Sequence, residues 1–256
     1  MGKTLTRLIK RLITLILLGV IGFSSYQLYK EFARNQEEAK ALEEVKTILD
    51  VKDNQVTSAI TKDKVLDLKR INDDIIAYLQ FDSGLISEPV TQTTDNAYYL
   101  DRDVNRNYNA FGTVFMNYKN TLADKNLILY GHAGGSVNTQ KFSNLNLYPN
   151  DDEFYKKNST FTLYTENDIR KYQISYVLVN RDSSEFDHQI QNFTEEEFNN
   201  WIAYVKAHTR VTSLNEIEYK DNFITLQTCL HDASAGKVIV IAKEIGRSAY
   251  QGGWVW

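Results

Sequence analysis

Phe223-Ile-Thr-Leu-Gln-Thr-Cys229 is an apolar, β-branched run that ends on the one cysteine of the chain. Runs of this kind, bounded by polar clusters, form strands whose side chains alternate between two faces. Here the strand delivers a thiol to its own terminus. A second run, Asn126-Leu-Ile-Leu-Tyr130, ends likewise on a turn, Gly131-His132-Ala133-Gly134-Gly135. Both groups can stand on rigid strand ends facing one cleft, the placement that a nucleophile and its base require.

Outward from these two runs the same strand pattern recurs at Val114 to Tyr118, Thr160 to Tyr164, Arg170 to Asn180 and Lys237 to Ile245, with Asn, Asp, Gly and Ser clusters between. Many short strands with regular turn signals predict a mainly β fold, a mostly antiparallel barrel decorated by helices. One long helix interrupts the strands. Thr194-Glu-Glu-Glu197 is a capping-box start, continued by Phe198, Trp201, Ile202 and Val205 at helical spacing. Before the strands, Glu31 to about Leu79 is rich in Glu, Lys, Ala and Leu. There Val65, Leu68, Ile71, Ile75 and Leu79 at three- and four-residue spacing predict helices. A polar, weakly periodic stretch around Asp50 to Ala59 reads as a hinge.

The composition excludes several classes. Of 256 residues, 43% are hydrophobic and 24% charged, with 2 prolines and 12 glycines, so the chain is neither disordered nor collagen-like. No solenoid period recurs. The net charge of −4 offers no basic face, and no nucleic-acid partner is expected. The charge is uneven, however. Lys3, Arg7, Lys10 and Arg11 face no acid in the first eleven positions, so the rest carries 25 basic against 33 acidic residues, a net −8.

Leu12 to Tyr29 carries no charge, and its centre, Ile13 to Phe23, is almost wholly apolar. Extended back to Leu8 it gives roughly 20 residues, enough to cross a hydrocarbon core about 30 Å thick. The flanking basic residues keep the N-terminus cytoplasmic and place the chain beyond about residue 30 outside the cell. No A-x-A-like site follows, which favours an uncleaved anchor over the alternative, a cleaved signal peptide. The expected organisation is a cytoplasmic tip and transmembrane anchor over residues 1–30, a helical stalk over 31–64 and a folded domain over 65–256.

A single cysteine forms no internal bridge, and a lone thiol kept outside the cell points to chemistry, with a buried apolar cysteine as the alternative. Of the four histidines, His208 lies at the end of the Thr194 helix beside Lys206 and Arg210 and reads as a solvated helix-end residue. His188 sits in a polar loop. His231, two residues from Cys229, is poorly spaced for a catalytic pair but suited to the mouth of a site. His132 at its strand end is the candidate base. No metal-ligand constellation stands out, acidic Glu195 to Glu197 reads as a helix start, and the Gly131 to Gly135 turn lacks nucleotide-binding spacing. No cofactor is expected.

Thr225-Leu-Gln-Thr-Cys229 resembles the TLxTC signature of the sortases, and Leu129-Tyr-Gly-His132 resembles that family's strand-end histidine. Further stretches are similar to the class B sortases: Ile71-Asn-Asp-Asp-Ile75, Glu88-Pro-Val-Thr-Gln92, Asp95-Asn-Ala-Tyr-Tyr-Leu100 and Phe115-Met-Asn-Tyr-Lys-Asn120. The long helix near Thr194 fits that class too, and the similarity spans about residues 65 to 246. It implies an eight-stranded sortase-type β-barrel with N-terminal helices and one long inserted helix. The implied activity is that of a cysteine transpeptidase. Such an enzyme cuts a sorting signal near the C-terminus of a secreted protein and passes the acyl group to an amine.

On that pattern Cys229 is the nucleophile and His132 the general acid/base, with Thr228 and His231 implied on the substrate side. The family's arginine, at the start of the strand after the cysteine, is replaced here: Lys237-Val-Ile-Val-Ile-Ala-Lys243 puts Lys237 at that position. A lysine keeps the charge but loses the planar fork. Lys237 substitutes for the arginine, or a distant arginine takes that role, or activity is weakened, or Lys237 is merely solvated; Arg247 is expected at the other end of the strand. The implied partners are surface or pilin proteins bearing sorting signals and an amine acceptor, either a peptidoglycan precursor or a pilin lysine. The rival reading is a catalytically weak accessory that binds and positions surface proteins.

Overall fold

The computed structural model describes residues 2–133, 141–181, 190–229 and 236–250. They divide into two compact units, residues 1–40 and 41–256. Helix α1 (Gly2–Leu49) supplies all of the first unit's described residues. Within it Ile9–Lys30, 22 residues, is long and apolar enough to cross a membrane. At about 1.5 Å per residue it would extend about 33 Å, matching a hydrocarbon core. Leu12, Leu15, Leu18, Ile21 and Phe23 along it are all exposed. A helix with these properties fits a membrane anchor or a signal sequence.

The second unit is built on a closed barrel. Its strands are β3 (Ile75–Phe81), β4 (Ser87–Thr91), β5 (Val114–Met116), β6 (Asn126–Tyr130), β7 (Thr160–Thr165), β8 (Ile169–Asn180), β9 (Phe223–Cys229) and β10 (Lys237–Ser248). They follow the order β10-β8-β7-β3-β4-β5-β6-β9, with β9 pairing back to β10. Most seams are antiparallel, as expected, but β4 pairs β5 and β6 pairs β9 in parallel. The expected mainly β fold with eight strands is therefore observed, as a mixed barrel.

Alternation sorts the side chains. Ile224 and Leu226 of β9 join Leu127, Leu129, Val238, Val240 and Ala242 in the barrel interior. Phe223 faces outward with Ile239 and Ile241, where α4 (Glu195–His208), the next helix after the short α3 (Asp152–Lys157), covers them with Phe198, Trp201, Ile202 and Val205. The expected capping box starts that helix: Thr194 Oγ1 accepts from the Glu197 N–H, while the Glu197 carboxylate accepts from the Thr194 N–H at 2.8 Å. The Thr194 N–H and hydroxyl, both donating to that carboxylate, hold Glu197 below the usual carboxylate range.

The region before β3 differs from its sequence reading. Ile75 to Leu79 is not helix but the start of β3, and helix α2 (Lys62–Asp67) ends in a single 3₁₀ turn at Leu68–Arg70. A four-residue interval is also two strand repeats, so Ile71, Ile75 and Leu79 satisfy both periods. Ala77, Leu79 and Phe81 point into the barrel, and Tyr78 packs on the opposite side. The stretch expected to be a hinge holds a tight hairpin, β1 (Val51–Lys52) and β2 (Gln55–Val56), with Asp53 and Asn54 at φ 49° and 59°. Two central residues at positive φ give a turn whose twist matches its flanking strands. Residues 41–64 pack into the second unit: Val45, Leu49, Val51 and Ile60 are buried with Val65, Leu68 and Tyr78.

At the far end of β10, Arg247 joins Glu244 and Asp168, as its position along the strand predicts. Asp168 also holds Arg170, whose guanidinium is 5% exposed, at 2.8 Å. Burial pushes the Asp168 carboxyl up, but hydrogen bonds from Arg170 and Thr165 and the charges of Arg170 and Arg247 outweigh it and hold it below the usual range. A depressed carboxyl stabilises the fold above its unfolded value, near pH 4, and loses that contribution as pH falls through the folded value. Asp168→Asn is expected to cost about 3 kcal/mol in urea denaturation at neutral pH. The difference from wild type should shrink below about pH 4. A gap that stays constant into acid would contradict the pairing.

Candidate active site

The parallel seam between β6 and β9 sets the site. Its register pairs Ile128 with Thr225 and Tyr130 with Gln227. The seam continues one step further, because the Gly131 N–H donates to the Gln227 carbonyl at 3.1 Å. Phe115 of β5 is the register partner of Tyr130, so Phe115, Tyr130 and Gln227 form one outward row across three strands. Two residues beyond that row, on the same face and at the same end, come His132 and Cys229. Parallel pairing carries both strands toward one edge of the barrel.

These residues line one cleft of about 240 Å³, with Leu100, Thr228 and Asn96 completing its wall. Its floor is aromatic: the Phe115 and Tyr130 rings lie 5.2 Å apart, and Asn117 Nδ2 donates to the Tyr130 hydroxyl at 2.9 Å. Cys229 is exposed, so the buried-cysteine reading does not hold. Its backbone carbonyl accepts from Asn146 Nδ2 at 3.1 Å.

The His132 ring is fixed by the main chain. Nε2 lies 2.7 Å from the Leu100 carbonyl. A carbonyl only accepts, so Nε2 carries the proton and Nδ1 is the nitrogen left for other partners. Leu100 in turn ends a 3₁₀ turn, Tyr98–Leu100, that Gly112 makes possible. At Gly112, φ +57°, a Cβ would meet the Tyr99 carbonyl at 2.2 Å and the Leu100 carbonyl at 2.6 Å. No residue with a side chain fits there without moving the carbonyl that holds His132. Tyr99 anchors the turn from behind, accepting from Asn72 Nδ2 at 2.6 Å and donating to Asp74 at 2.7 Å. Burial and the Asp74 carboxylate push its phenol up to about 12, so it stays a neutral donor.

Lys237 is the register partner of Cys229 across the β9–β10 seam, which puts both side chains on the outward face. It stands beside the cleft, outside its described lining. Thr228 is 2% exposed, and its Oγ1, like Gln227 Oε1, is buried with no hydrogen-bond partner among the described residues. A buried oxygen left unpaired costs about 1–3 kcal/mol. His208 is exposed at the end of α4, stacked on Tyr204 at 3.9 Å, away from the cleft. His231, His188, Gly134 and Gly135 lie outside the described residues. Among the described residues no group of acidic, histidine and cysteine side chains is arranged to hold a metal.

Sequence reasoning missed the Leu100 carbonyl, Gly112, Asn146 and the roles of Phe115 and Gln227. A main-chain acceptor leaves no residue-type signal. Gln227 was visible inside the Thr225 to Cys229 run, where strand alternation puts it on the same face as Cys229.

No family model matches the chain. Sortase B of Listeria monocytogenes is 29% identical over 240 residues, covering 90% of this chain and 94% of that protein. Among solved structures, Clostridium perfringens sortase B aligns with a TM-score of 0.64 at 26% identity, covering 70% of this chain and 98% of that one. A Staphylococcus aureus sortase B–substrate complex aligns with a TM-score of 0.68 at 22% identity, covering 84% and 96%. A sequence likeness that runs nearly end to end, joined to an eight-stranded barrel that presents a strand-end histidine and an exposed cysteine in one cleft, supports reading this chain as a class B sortase, a cysteine transpeptidase.

Proposed function

We propose that Cys229 is the nucleophile and His132 the general acid/base of a membrane-anchored transpeptidase acting on a C-terminal sorting signal. The observation that carries this reading is the shared cleft, with an exposed thiol and a ring whose Nε2 is committed to Leu100, leaving Nδ1 to exchange protons. Cys229 gives its thiol proton to His132 Nδ1, and the sulfur attacks the threonyl carbonyl of the signal. As the C–N bond breaks, His132 Nδ1–H protonates the departing amine and a thioester remains. An acceptor amine then attacks the thioester and gives its proton to Nδ1, and the C–S bond breaks to free the sulfur. The aromatic floor orients the peptide, with Thr228 and Gln227 in the wall beside it. A related sortase B captured with its substrate supports a peptide in this cleft.

Lys237, facing outward beside Cys229, supplies positive charge to the developing oxyanion in place of an arginine. Residues 1–30 form the cytoplasmic tip and anchor, with the barrel outside the cell. The acceptor amine is a cell-wall peptide or a pilin lysine.

The full-length chain in detergent, given candidate sorting-signal peptides and an amine, should show a covalent adduct on Cys229 by mass spectrometry. Cys229→Ala should abolish it, and His132→Ala should slow transfer by on the order of 10²-fold or more. Equal behaviour of wild type and Cys229→Ala across all peptides would contradict the mechanism. Lys237→Ala should cost on the order of 10²-fold in kcat, with Lys237→Arg close to wild type. Unchanged rates for both would remove Lys237 from the site. Gly112→Ala, by shifting the Leu100 carbonyl, should lower kcat on the order of 10²-fold, and a wild-type rate would show that this carbonyl does not position His132.

A further inference from the structure

Just beyond His132 the chain is gripped from an unexpected direction. Ala133 forms an antiparallel bridge with Lys141, and the Phe142 N–H donates to the His132 carbonyl at 3.2 Å. The Phe142 ring lies so close to Gly131 that a Cβ there would meet it at 2.7 Å. Residues 141 and 142 thus clasp the main chain on both sides of His132. The clasp has its own anchor. Lys141 adopts φ 55°, a conformation that a residue with a Cβ rarely takes, and its side chain is 5% exposed. Its Nζ meets Glu88 Oε2 at 3.3 Å.

Glu88 is an unusual partner. It is the register neighbour of Leu79, and Ile86 and Val90, two residues to either side, belong to the barrel's apolar interior. Glu88 therefore points inward, with its side chain 6% exposed. Neither charge would sit in that interior alone. Desolvation makes each expensive, and mutual pairing offsets that cost. The pair fixes Lys141 in one place, and the bridge to Ala133 and the bond from Phe142 pass that constraint to His132.

We propose that the Glu88–Lys141 ion pair positions His132, holding its ring at the Leu100 carbonyl with Nδ1 toward the cleft. The inference rests on reading His132 as the acid/base and deepens it. Neither charge touches substrate, so both act through the histidine.

Two variants of the full-length chain separate positioning from fold maintenance. Lys141→Met leaves Glu88 buried and unpaired. The double variant Glu88→Leu with Lys141→Met removes both charges and replaces them with apolar bulk, which restores stability in the manner of buried pairs replaced by hydrophobic residues. Both are expected to lose about tenfold in kcat with KM within about twofold, the signature of a group that acts in the transition state and not in binding. The hydrogen-bonded His132 ring N–H resonance should weaken in both, while the His208 ring resonance stays unchanged. A double variant with wild-type kcat and an unaltered His132 resonance would overturn the proposal. Where Lys141→Met fails to fold, the double variant alone decides. The ring resonance is independent of turnover. If His132→Ala proves harmless to transfer, the acid/base reading fails, while the resonance still reports whether the pair positions the ring.

Discussion

The parallel pairing of β6 with β9 is the constraint on which the site depends. Two strands that run side by side in one direction need a long crossover, and here β7, β8 and α4 all lie between them in the chain. What this connection secures is a common edge: both strands finish at one end of the barrel. Register then does the rest, since Tyr130 opposite Gln227 puts the next outward residues of each strand, His132 and Cys229, beside each other. A slip of one residue in either strand would turn its functional group to the other face.

Along β9 the outward row passes from dry to wet. Phe223 is fully buried beneath α4, Thr225 is buried and donates to Asn126 Oδ1 at 2.9 Å, Gln227 is half-buried and Cys229 is exposed. One strand therefore serves as structural core at one end and as reactive edge at the other. The inserted helix fixes the buried end without covering the cleft. The open end is instead braced by polar main-chain contacts: Asn146 on the Cys229 carbonyl, Leu100 on the His132 ring and Phe142 on the His132 carbonyl. Two of the braces come from one segment, residues 142–146, and the third from the Tyr98–Leu100 turn, so the site's geometry depends on both.

Much of this was legible in the sequence because strand runs that end on functional groups are local patterns. The Phe223 and Asn126 runs, the Thr194 capping box and the expected place of Arg247 all follow from residues near one another in the chain. The start of β3 reads as helix in the sequence because the four-residue spacing of Ile71, Ile75 and Leu79 fits both periods. Strand β4 escaped notice because it is five residues long and carries Pro89, which usually argues against a strand inside a sheet. The Asp53-Asn54 turn reads as a hinge in the sequence because its polarity is equally that of a linker. Beyond these lies what no local pattern holds. The Leu100 carbonyl, the need for Gly112 and the meeting of Glu88 with Lys141 are products of tertiary closure, joining segments tens of residues apart.

A short bis-electrophile such as 1,3-dibromoacetone tests the central claim most directly, since it alkylates an exposed thiol first and then reaches only a nucleophile held nearby. Mass spectrometry of the digested full-length chain should find one intramolecular cross-link joining the peptide that contains Cys229 to the peptide that contains His132. A link from Cys229 to any other side chain, or a Cys229 adduct that never bridges to His132, would contradict the account.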